Sequence, residues 1–338
     1  MKEYKYLQKL LFLLVLVFSQ PATLFANESL VIYSGRSDKF VKPIIAEFTR
    51  QTGIKVTLHT GKSTALLNKL RVEGQRTDAD LFLSNDAGTL QRGSKLRLFK
   101  YLTERLISPV SPTLRAPDNT WVGLSARARV LVVNTQGPWA NKSLSVFDLA
   151  KPEFKDKLGI TNSTNGSYIA GVTVYMDSTN KEKTRQWLQG MKANVDGQVF
   201  NKHSKIVKAV ARGKKQIGLV NHYYIYRHLA KHPKAPIKIV LPDQGKDGIG
   251  VAWNVTGIAI SKYSKNFKAA KKLVAFLISK AGQQQFAEAN REYPARKGVA
   301  AHPSVPAAGS YKIAKTPMAA LGVKRNETID LIEQIGMP

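Results

Sequence analysis

Apolar strands alternate with amphipathic helices at the start of this chain, and that alternation limits its possible folds more than any other feature. An apolar run at 30–33 is followed by a segment with apolar residues at helical spacing, which ends near Phe48. A strand at 54–58, a helix at 64–73 and a strand at 80–83 continue the pattern. Such alternation predicts an α/β fold, in which helices cover both faces of a parallel sheet.

A second alternation lies between two longer strand-like segments, at 122–134 and 251–261. The chain is therefore expected to enter a second lobe after about residue 128 and to return near residue 252. Two extended connections between two α/β lobes would form a hinge. The elements predicted for the second lobe are a helix beginning near residue 167, a helix at 181–190, a helical segment at 206–211 and a strand at 216–220.

The first 26 residues have the order of regions that is typical of a secretory signal peptide. Three lysines, at 2, 5 and 9, precede an apolar run at 10–18, and a small-residue region ends at Ala26. This order predicts cleavage after Ala26 and export to the periplasm. The apolar run is shorter than the roughly 20 residues that a membrane-spanning helix needs, so an uncleaved anchor is the less favoured alternative.

The chain is strongly basic, with 52 Lys and Arg against 23 Asp and Glu and a formal net charge of +29. Removal of residues 1–26 deletes three lysines and one glutamate and so lowers this charge by two. Such an excess attracts anions and acidic surfaces. The basic residues are spread along the whole chain without an aromatic-spaced RNA motif, so no nucleic-acid partner is expected.

The residue types also restrict the chemistry that is available. The chain has no cysteine, which excludes disulfides and thiolate metal sites and leaves oxygen or nitrogen as the ligands of any metal. It contains no His-Glu-x-x-His, no phosphate-binding Gly-x4-Gly-Lys loop and no Gly-x-Ser-x-Gly elbow. We therefore predict a binding protein and not an enzyme.

Two consecutive tyrosines, Tyr223 and Tyr224, follow the strand predicted at 216–220. In a strand their side chains would point to opposite faces, whereas in the first turn of a helix they diverge by only about 100° and can reach one ion. Asn221 is a suitable helix N-cap, which favours the helical placement. Ligands of parallel sheets bind where strand ends lead into helices. Ordinary aromatic packing is the alternative interpretation of the pair.

The segment Val220-Asn-His-Tyr-Tyr224 resembles the paired-tyrosine motif of the ferric-ion-binding periplasmic proteins, the bacterial counterparts of transferrins. Further matches follow in the same order over essentially the whole mature chain. They are Tyr33-Ser-Gly-Arg-Ser37, Phe48-Thr-Arg-Gln-Thr-Gly-Ile-Lys-Val56, Ala79-Asp-Leu-Phe-Leu-Ser84, Trp121-Val-Gly-Leu-Ser-Ala-Arg-Ala-Arg-Val130, Ala275-Phe-Leu, Glu292-Tyr-Pro294 and Leu331-Ile-Glu-Gln-Ile-Gly-Met337.

The resemblance implies the type II periplasmic-binding-protein fold, in which each of two lobes has a mixed sheet flanked by helices and two strands form the hinge. With the crossing points given above, the N-terminal lobe is expected at 27–128 plus 252–300. The C-terminal lobe is expected at 129–251 plus 301–338, including a final amphipathic helix at 327–334 that packs back on a lobe. The resemblance further implies that the protein delivers its cargo to an ABC permease of the inner membrane. The protein is expected to be a monomer.

The same resemblance implies that Tyr168 joins Tyr223 and Tyr224 as a ligand of Fe(3+). Three phenolates suit a hard, trivalent, oxygen-seeking cation. Where many family members have histidine or tyrosine, this chain has Ser37 and Asp38, and where a subgroup has glutamate it has Asn85 followed by Asp86. The chain is thus more similar to members whose three tyrosines bind iron together with carbonate or bicarbonate.

We assign that anion to Arg36 and Arg127, because an arginine offers a planar fork of donors, and regard Arg129 as a weaker candidate. The polar loop at 163–166, with Ser163 and Asn165, is a second expected anion site because it precedes a helix. The secondary metal-ligand candidates are His203 and His222.

Two other functions remain open at this point. Basic loops at helix N-termini suit a metal-free receptor for phosphate or a small organic anion equally well. An enzyme on the same two-lobed fold is the other, although the chain offers no catalytic set.

Overall fold

The computed structural model describes residues 28–338, so the predicted signal peptide at 1–26 lies outside the described residues. Within the described part of the chain, the strands form one mixed sheet. They are β1 (Ser29–Ser34), β2 (Lys55–Thr60), β3 (Leu81–Ser84), β4 (Val122–Asn134), β5 (Leu158–Gly159), β6 (Ile217–Asn221), β7 (Ile237–Val240), β8 (Trp253–Ile260) and β9 (Tyr293–Pro294).

Helices flank this sheet in both halves of the molecule. In chain order they are α1 (Lys42–Thr52), α2 (Ser63–Glu73), α3 (Ala87–Lys95), α4 (Glu104–Ile107), α5 (Gly166–Ser178), α6 (Lys181–Val195), α7 (His203–Ala211), α8 (Tyr223–Leu229), α9 (Phe267–Leu277), α10 (Lys280–Asn290), α11 (Ala320–Val323) and α12 (Arg325–Ile335). Among residues 28–338, no helix is long and apolar enough to cross a membrane.

The strand order β2-β1-β3-β8-β4-β6-β5 divides the sheet into two halves that share β4. Val122–Ala128 of β4 pairs antiparallel with β8, whereas Arg129–Val133 pairs antiparallel with β6. The first half-sheet therefore contains β1, β2, β3, β8 and β9, and the second contains β5, β6 and β7. The change of partner falls at the predicted crossing residue 128, and the complete lobe boundaries stay a prediction.

Parallel pairing of β1 with β2 and β3 places the carboxyl ends of these strands at one edge of the first half-sheet. Ile32 and Phe48 belong to the core on one face of it, which α1, α9 and α10 cover. Leu67 and Phe82 belong to the core on the other face, which continues past β4 into the second half. Loops that follow the strands are thereby brought to the line where the two halves meet.

Most of the predicted elements are present within a few residues of their expected bounds. The first helix differs, because Phe40 lies in a separate 3₁₀ turn at Asp38–Phe40 and α1 begins only at Lys42. Pro43 occupies the first turn of α1, where a proline is tolerated because it lacks the N–H that a later position would need. The C-terminal helix packs on α5 as expected, with Thr328 Oγ1 3.0 Å from Thr173 Oγ1.

Candidate functional site

The tyrosine pair occupies the predicted position, because β6 ends at Asn221 and α8 begins at Tyr223. The expectation that Asn221 caps this helix was wrong. His222 is the N-cap residue, and it has helical backbone angles and no side-chain capping bond. Asn221 is still part of β6 and directs its side chain elsewhere, which prevents it from capping.

The Asn221 side chain connects the pair with the start of α5. Its Nδ2 lies 3.4 Å from the Tyr223 hydroxyl and 3.2 Å from Ser167 Oγ. The rings of Tyr223 and Tyr224 are in contact, with centroids 4.4 Å apart. The first turns of α8 and α5 are therefore held side by side, and Tyr168 lies in the first turn of α5.

Tyr168 is buried, and its hydroxyl has no hydrogen-bond partner among residues 28–338. Burial raises its pKa above the ordinary value, while the nearby Arg129 guanidinium lowers it. Buried hydroxyls in folded proteins are nearly always hydrogen-bonded. An unpaired phenol oxygen beside the Arg129 charge is therefore suited to bind a metal ion that displaces its proton.

Arg129 is the group on which the phenols converge. Burial lowers its pKa, and Tyr175, Tyr168 and Tyr223 all lie near enough to oppose that effect. The ring contacts of Tyr223 are to Phe40, His222 and Tyr224, within the described residues, and do not include Tyr168. The structure thus brings Tyr168 and Tyr223 near one arginine, and coordination of one ion by these two and Tyr224 stays a prediction.

Tyr224 faces His203, with ring centroids 5.2 Å apart. Burial raises the pKa of Tyr224 above its ordinary value, with a further contribution from the Tyr223 phenol. One ring nitrogen of His203 lies 3.3 Å from Arg129 Nη1. Burial and the Arg129 charge hold the pKa of His203 well below its usual value, so this histidine is neutral and accepts from the arginine.

His222 is fully engaged with the backbone. Its Nδ1 accepts from Ala128 N at 3.1 Å, and its Nε2 lies 2.7 Å from the carbonyl oxygen of Arg291, to which it donates in the neutral form. Burial lowers the pKa of His222 to about 4. With both nitrogens bonded, His222 stabilises the point where β4 changes partners and offers no lone pair to a metal.

Two of the predicted anion-binding side chains are paired within the protein. Arg36 donates to Glu292 Oε1 at 2.7 Å and to Thr256 Oγ1 at 2.5 Å. Arg127 donates to Thr256 Oγ1 at 3.3 Å and also to the carbonyl oxygen of Asn85. Their charges remain close to the tyrosines, but both Nη groups of each guanidinium already donate hydrogen bonds within the protein.

Arg129, which sequence reasoning ranked lower, has more donors available. Its Nε and Nη2 have no hydrogen-bond partner within residues 28–338, and the same holds for Asn254 Nδ2. Both residues line a narrow pocket together with Arg127, Ser167 and Asn221. Side chains alternate along a strand, which places positions 127 and 129 on one face of β4. This alternation could have indicated from the sequence that both arginines lie on the same side.

The polar loop before α5 is satisfied internally. Asn165 caps the helix, with Oδ1 accepting from Ser167 N at 2.9 Å and from Tyr168 N at 3.3 Å. Ser163 donates from Oγ to the Met337 carbonyl at 3.0 Å. These side chains therefore position Tyr168, and their direct contact with an anion stays a prediction.

The first half-sheet offers few metal ligands. Asp38 pairs with Lys42 at 2.7 Å, and Asp86 accepts from Thr89 N as the N-cap of α3. Across residues 28–338, no three or more histidines, aspartates or glutamates form a group that could hold a metal ion.

The two halves of this α/β molecule share the long strand β4, and buried tyrosines and arginines lie where the halves meet. This is the architecture of an extracytoplasmic solute receptor. The model of the family described as bacterial extracellular solute-binding protein matches residues 43–313. The chain belongs to this family.

Relatives of known name are similar to almost the whole chain. Iron uptake protein A1 of a Synechocystis strain is 30% identical over 304 residues, which are 88% of this chain and 84% of that protein. The Fe(3+)-binding periplasmic protein of Serratia marcescens is 28% identical, with 92% and 91% covered.

Solved structures confirm the predicted type II periplasmic-binding fold. Iron-bound HitA from Pseudomonas aeruginosa has a TM-score of 0.85 and 27% identity, and 91% of this chain and 99% of that chain are covered. A Trichodesmium protein in complex with iron and citrate ligands has a TM-score of 0.81 and 27% identity, with 92% and 100% covered.

Proposed function

We propose that this protein captures ferric iron in the periplasm through the phenolate oxygens of Tyr168, Tyr223 and Tyr224. The observation that carries this proposal is the tyrosine pair at the start of α8, tied through Asn221 to the turn that holds the unpaired Tyr168 hydroxyl. The relatives named for iron uptake and ferric binding support the same cargo.

Proton displacement is the chemical basis of capture. Burial raises the pKa of Tyr168 and of Tyr224, so both phenols are protonated in the metal-free protein at neutral pH. A trivalent cation supplies the charge that removes these protons. Iron binding therefore releases protons and weakens in acid.

We further propose that a carbonate or bicarbonate ion completes the iron coordination and is held by Arg129. Its unpaired Nε and Nη2 form a fork that matches a planar oxyanion. Arg36 and Arg127 add positive charge nearby through guanidinium groups that are already hydrogen-bonded to Thr256.

Transport completes the proposed function. The chain is exported by its signal peptide, binds iron as a monomer and closes over it, and the closed form is recognised by an ABC permease. Closure follows from better contacts with the ligand in the closed state than in the open one. The family is a class of transport receptors, and the chemistry described above requires no catalytic step.

The test is metal analysis and a visible spectrum of the protein purified from its native compartment. We expect ferric iron and a charge-transfer band from tyrosinate. The triple Tyr168→Phe, Tyr223→Phe, Tyr224→Phe variant should lose both, whereas Tyr226→Phe, in the same helix but against His222, should keep them. Unchanged ferric affinity in the triple variant would overturn the proposal.

The metal-free receptor for phosphate or an organic anion is the second candidate, and the named relatives do not favour it. A colourless protein that gains thermal stability only with its anion would support that candidate instead.

A further inference from the structure

Most of the large positive charge of the chain lies outside the tyrosine site, and part of it is concentrated at one edge of the first half-sheet. Two antiparallel segments meet there, because Lys262 N donates to the Leu98 carbonyl at 2.8 Å and Lys100 N donates to the Ile260 carbonyl at 2.9 Å. The helix α9 begins a few residues later, at Phe267. We call the six basic residues of these segments the basic edge: Arg97, Lys100, Lys262, Lys265, Lys268 and Lys271.

An aromatic ring lies between two members of the basic edge. Lys100 Nζ lies 5.2 Å and Lys271 Nζ lies 4.9 Å from the centroid of the Phe267 ring. Lys268 and Lys271 are three residues apart on α9 and therefore neighbours on the helix surface. Lys100 is half-buried and the other five side chains are exposed. The ring thus brings the cations of the paired segments and of α9 together on one surface.

The basic edge has no counter-charge within residues 28–338, because none of its members forms an ion pair with a carboxylate there. Asp78 and Lys265 line one pocket without forming an ion pair, and Glu104 pairs instead with Arg115 at 2.8 Å. Like charges held together without a counter-charge repel each other, and an anionic surface brought against them removes that repulsion.

Exposed apolar side chains accompany these cations. Among the described residues, four large apolar side chains are exposed, and two of them, Leu96 and Tyr101, flank the segment that carries Arg97 and Lys100. Tyr101 is 59% exposed and Leu96 is 40% exposed. Tyrosine rings favour the headgroup level of a membrane, and lysine stems cover apolar surface while their charges stay in water. This combination is typical of a surface that contacts lipid.

The basic edge lies at the end of the first half-sheet that is opposite to the tyrosine site. Ile260 pairs with Leu81 at the start of β3. The end of β3, at Ser84, leads instead to Asn85, whose carbonyl accepts from Arg127. A partner bound at the basic edge therefore leaves the cleft accessible.

We propose that the basic edge binds the surface of a membrane that contains anionic phospholipid. Each basic side chain near such a surface adds to the attraction, and the exposed apolar side chains contact the headgroup region. A nucleic acid or a free anion would leave Leu96 and Tyr101 in water. Membrane contact keeps the receptor close to a permease while its cleft stays open to solvent. The inference rests on the proposed export of the chain, and not on iron binding.

The test measures binding of the metal-free protein to vesicles by flotation. Mixed vesicles of phosphatidylcholine and phosphatidylglycerol present the anionic surface, and phosphatidylcholine vesicles are the neutral comparison. The basic-edge variant is Lys100→Gln/Lys268→Gln/Lys271→Gln. The control removes the same charge from exposed positions of the second half and is Lys142→Gln/Lys155→Gln/Lys214→Gln. A third variant, Leu96→Ser/Tyr101→Ser, removes the apolar side chains and no charge.

We expect the wild type to bind the mixed vesicles and not the neutral ones. The basic-edge variant should lose at least tenfold in affinity for the mixed vesicles, the control should stay within twofold of the wild type, and Leu96→Ser/Tyr101→Ser should lose about threefold. Equal loss in the two lysine variants would assign binding to the total charge and overturn the inference. Wild-type binding by Leu96→Ser/Tyr101→Ser would show a contact that any polyanion can make, and would overturn the assignment to a membrane.

Ferric titration in bicarbonate is measured separately on the same proteins. All three variants should bind ferric ion within twofold of the wild type, which also shows that they are folded. Failure of the wild type to bind ferric ion would overturn the proposed function, whereas failure of the wild type to bind the mixed vesicles would overturn the membrane inference.

Discussion

At the scale of single residues, the site depends on groups whose bonding is incomplete within the protein. The Tyr168 hydroxyl and two nitrogens of Arg129 are buried without partners among the described residues, whereas His222 and Asn165 are bonded and Arg36 lacks a partner only at Nε. Sequence reasoning selected the tyrosines by type and motif. It ranked Arg127 above Arg129 because nothing in the sequence tells which guanidinium is already paired with Thr256.

Arg129 provides the prediction at this scale. Arg129→Lys keeps the charge but removes the fork that we assign to the anion, and charge-assisted hydrogen bonds contribute about 1.5–3 kcal/mol. Ferric affinity in bicarbonate should therefore fall by about tenfold or more. Arg212→Lys, at an exposed position, should have no effect. Competition titrations against a chelator measure both, and wild-type affinity of Arg129→Lys would remove Arg129 from the anion site.

At the scale of elements, the strands and helices with clear periodicity were predictable, and α3 was not. Its sequence contains Gly88 and Gly93, which are unfavourable in a helix. Packing explains them, because a Cβ at Gly88 would lie 2.7 Å from the Leu321 carbonyl oxygen, and one at Gly93 would lie 2.3 Å from the Phe99 ring. The contact of Gly88 is with Leu321, which is distant in the sequence. The sequence around α3 alone therefore does not show why glycines occur in this helix.

The N-terminus of α5 provides the prediction at this scale. Asn165→Ala removes the cap that bonds Ser167 N and Tyr168 N, and should lower the free energy of unfolding by about 1 kcal/mol. Asn165→Asp keeps the capping oxygen and should restore most of that loss. Urea unfolding of the metal-free protein measures it. Equal stability of the Ala and Asp variants would show that the cap does not hold this turn.

At the scale of the whole molecule, the two halves are joined through β4, which is buried along its entire length and changes partners between Ala128 and Arg129. The two long strand-like segments made this crossing predictable. The meeting of Lys39 and Arg227 over the Phe40 ring was not predictable, because these residues are far apart in the sequence. The large positive charge of the chain gives no indication of where such side chains meet.

One titration tests the central claim most directly, namely that buried phenols lose their protons to a trivalent cation. Ferric ion is added to the metal-free protein in bicarbonate while visible absorbance and proton release are followed together. We expect a band that saturates at one equivalent, with one proton released from each of Tyr168, Tyr223 and Tyr224, and one proton fewer from Tyr168→Phe. Tight ferric binding without a visible band, and without protons released from tyrosine, would contradict the account.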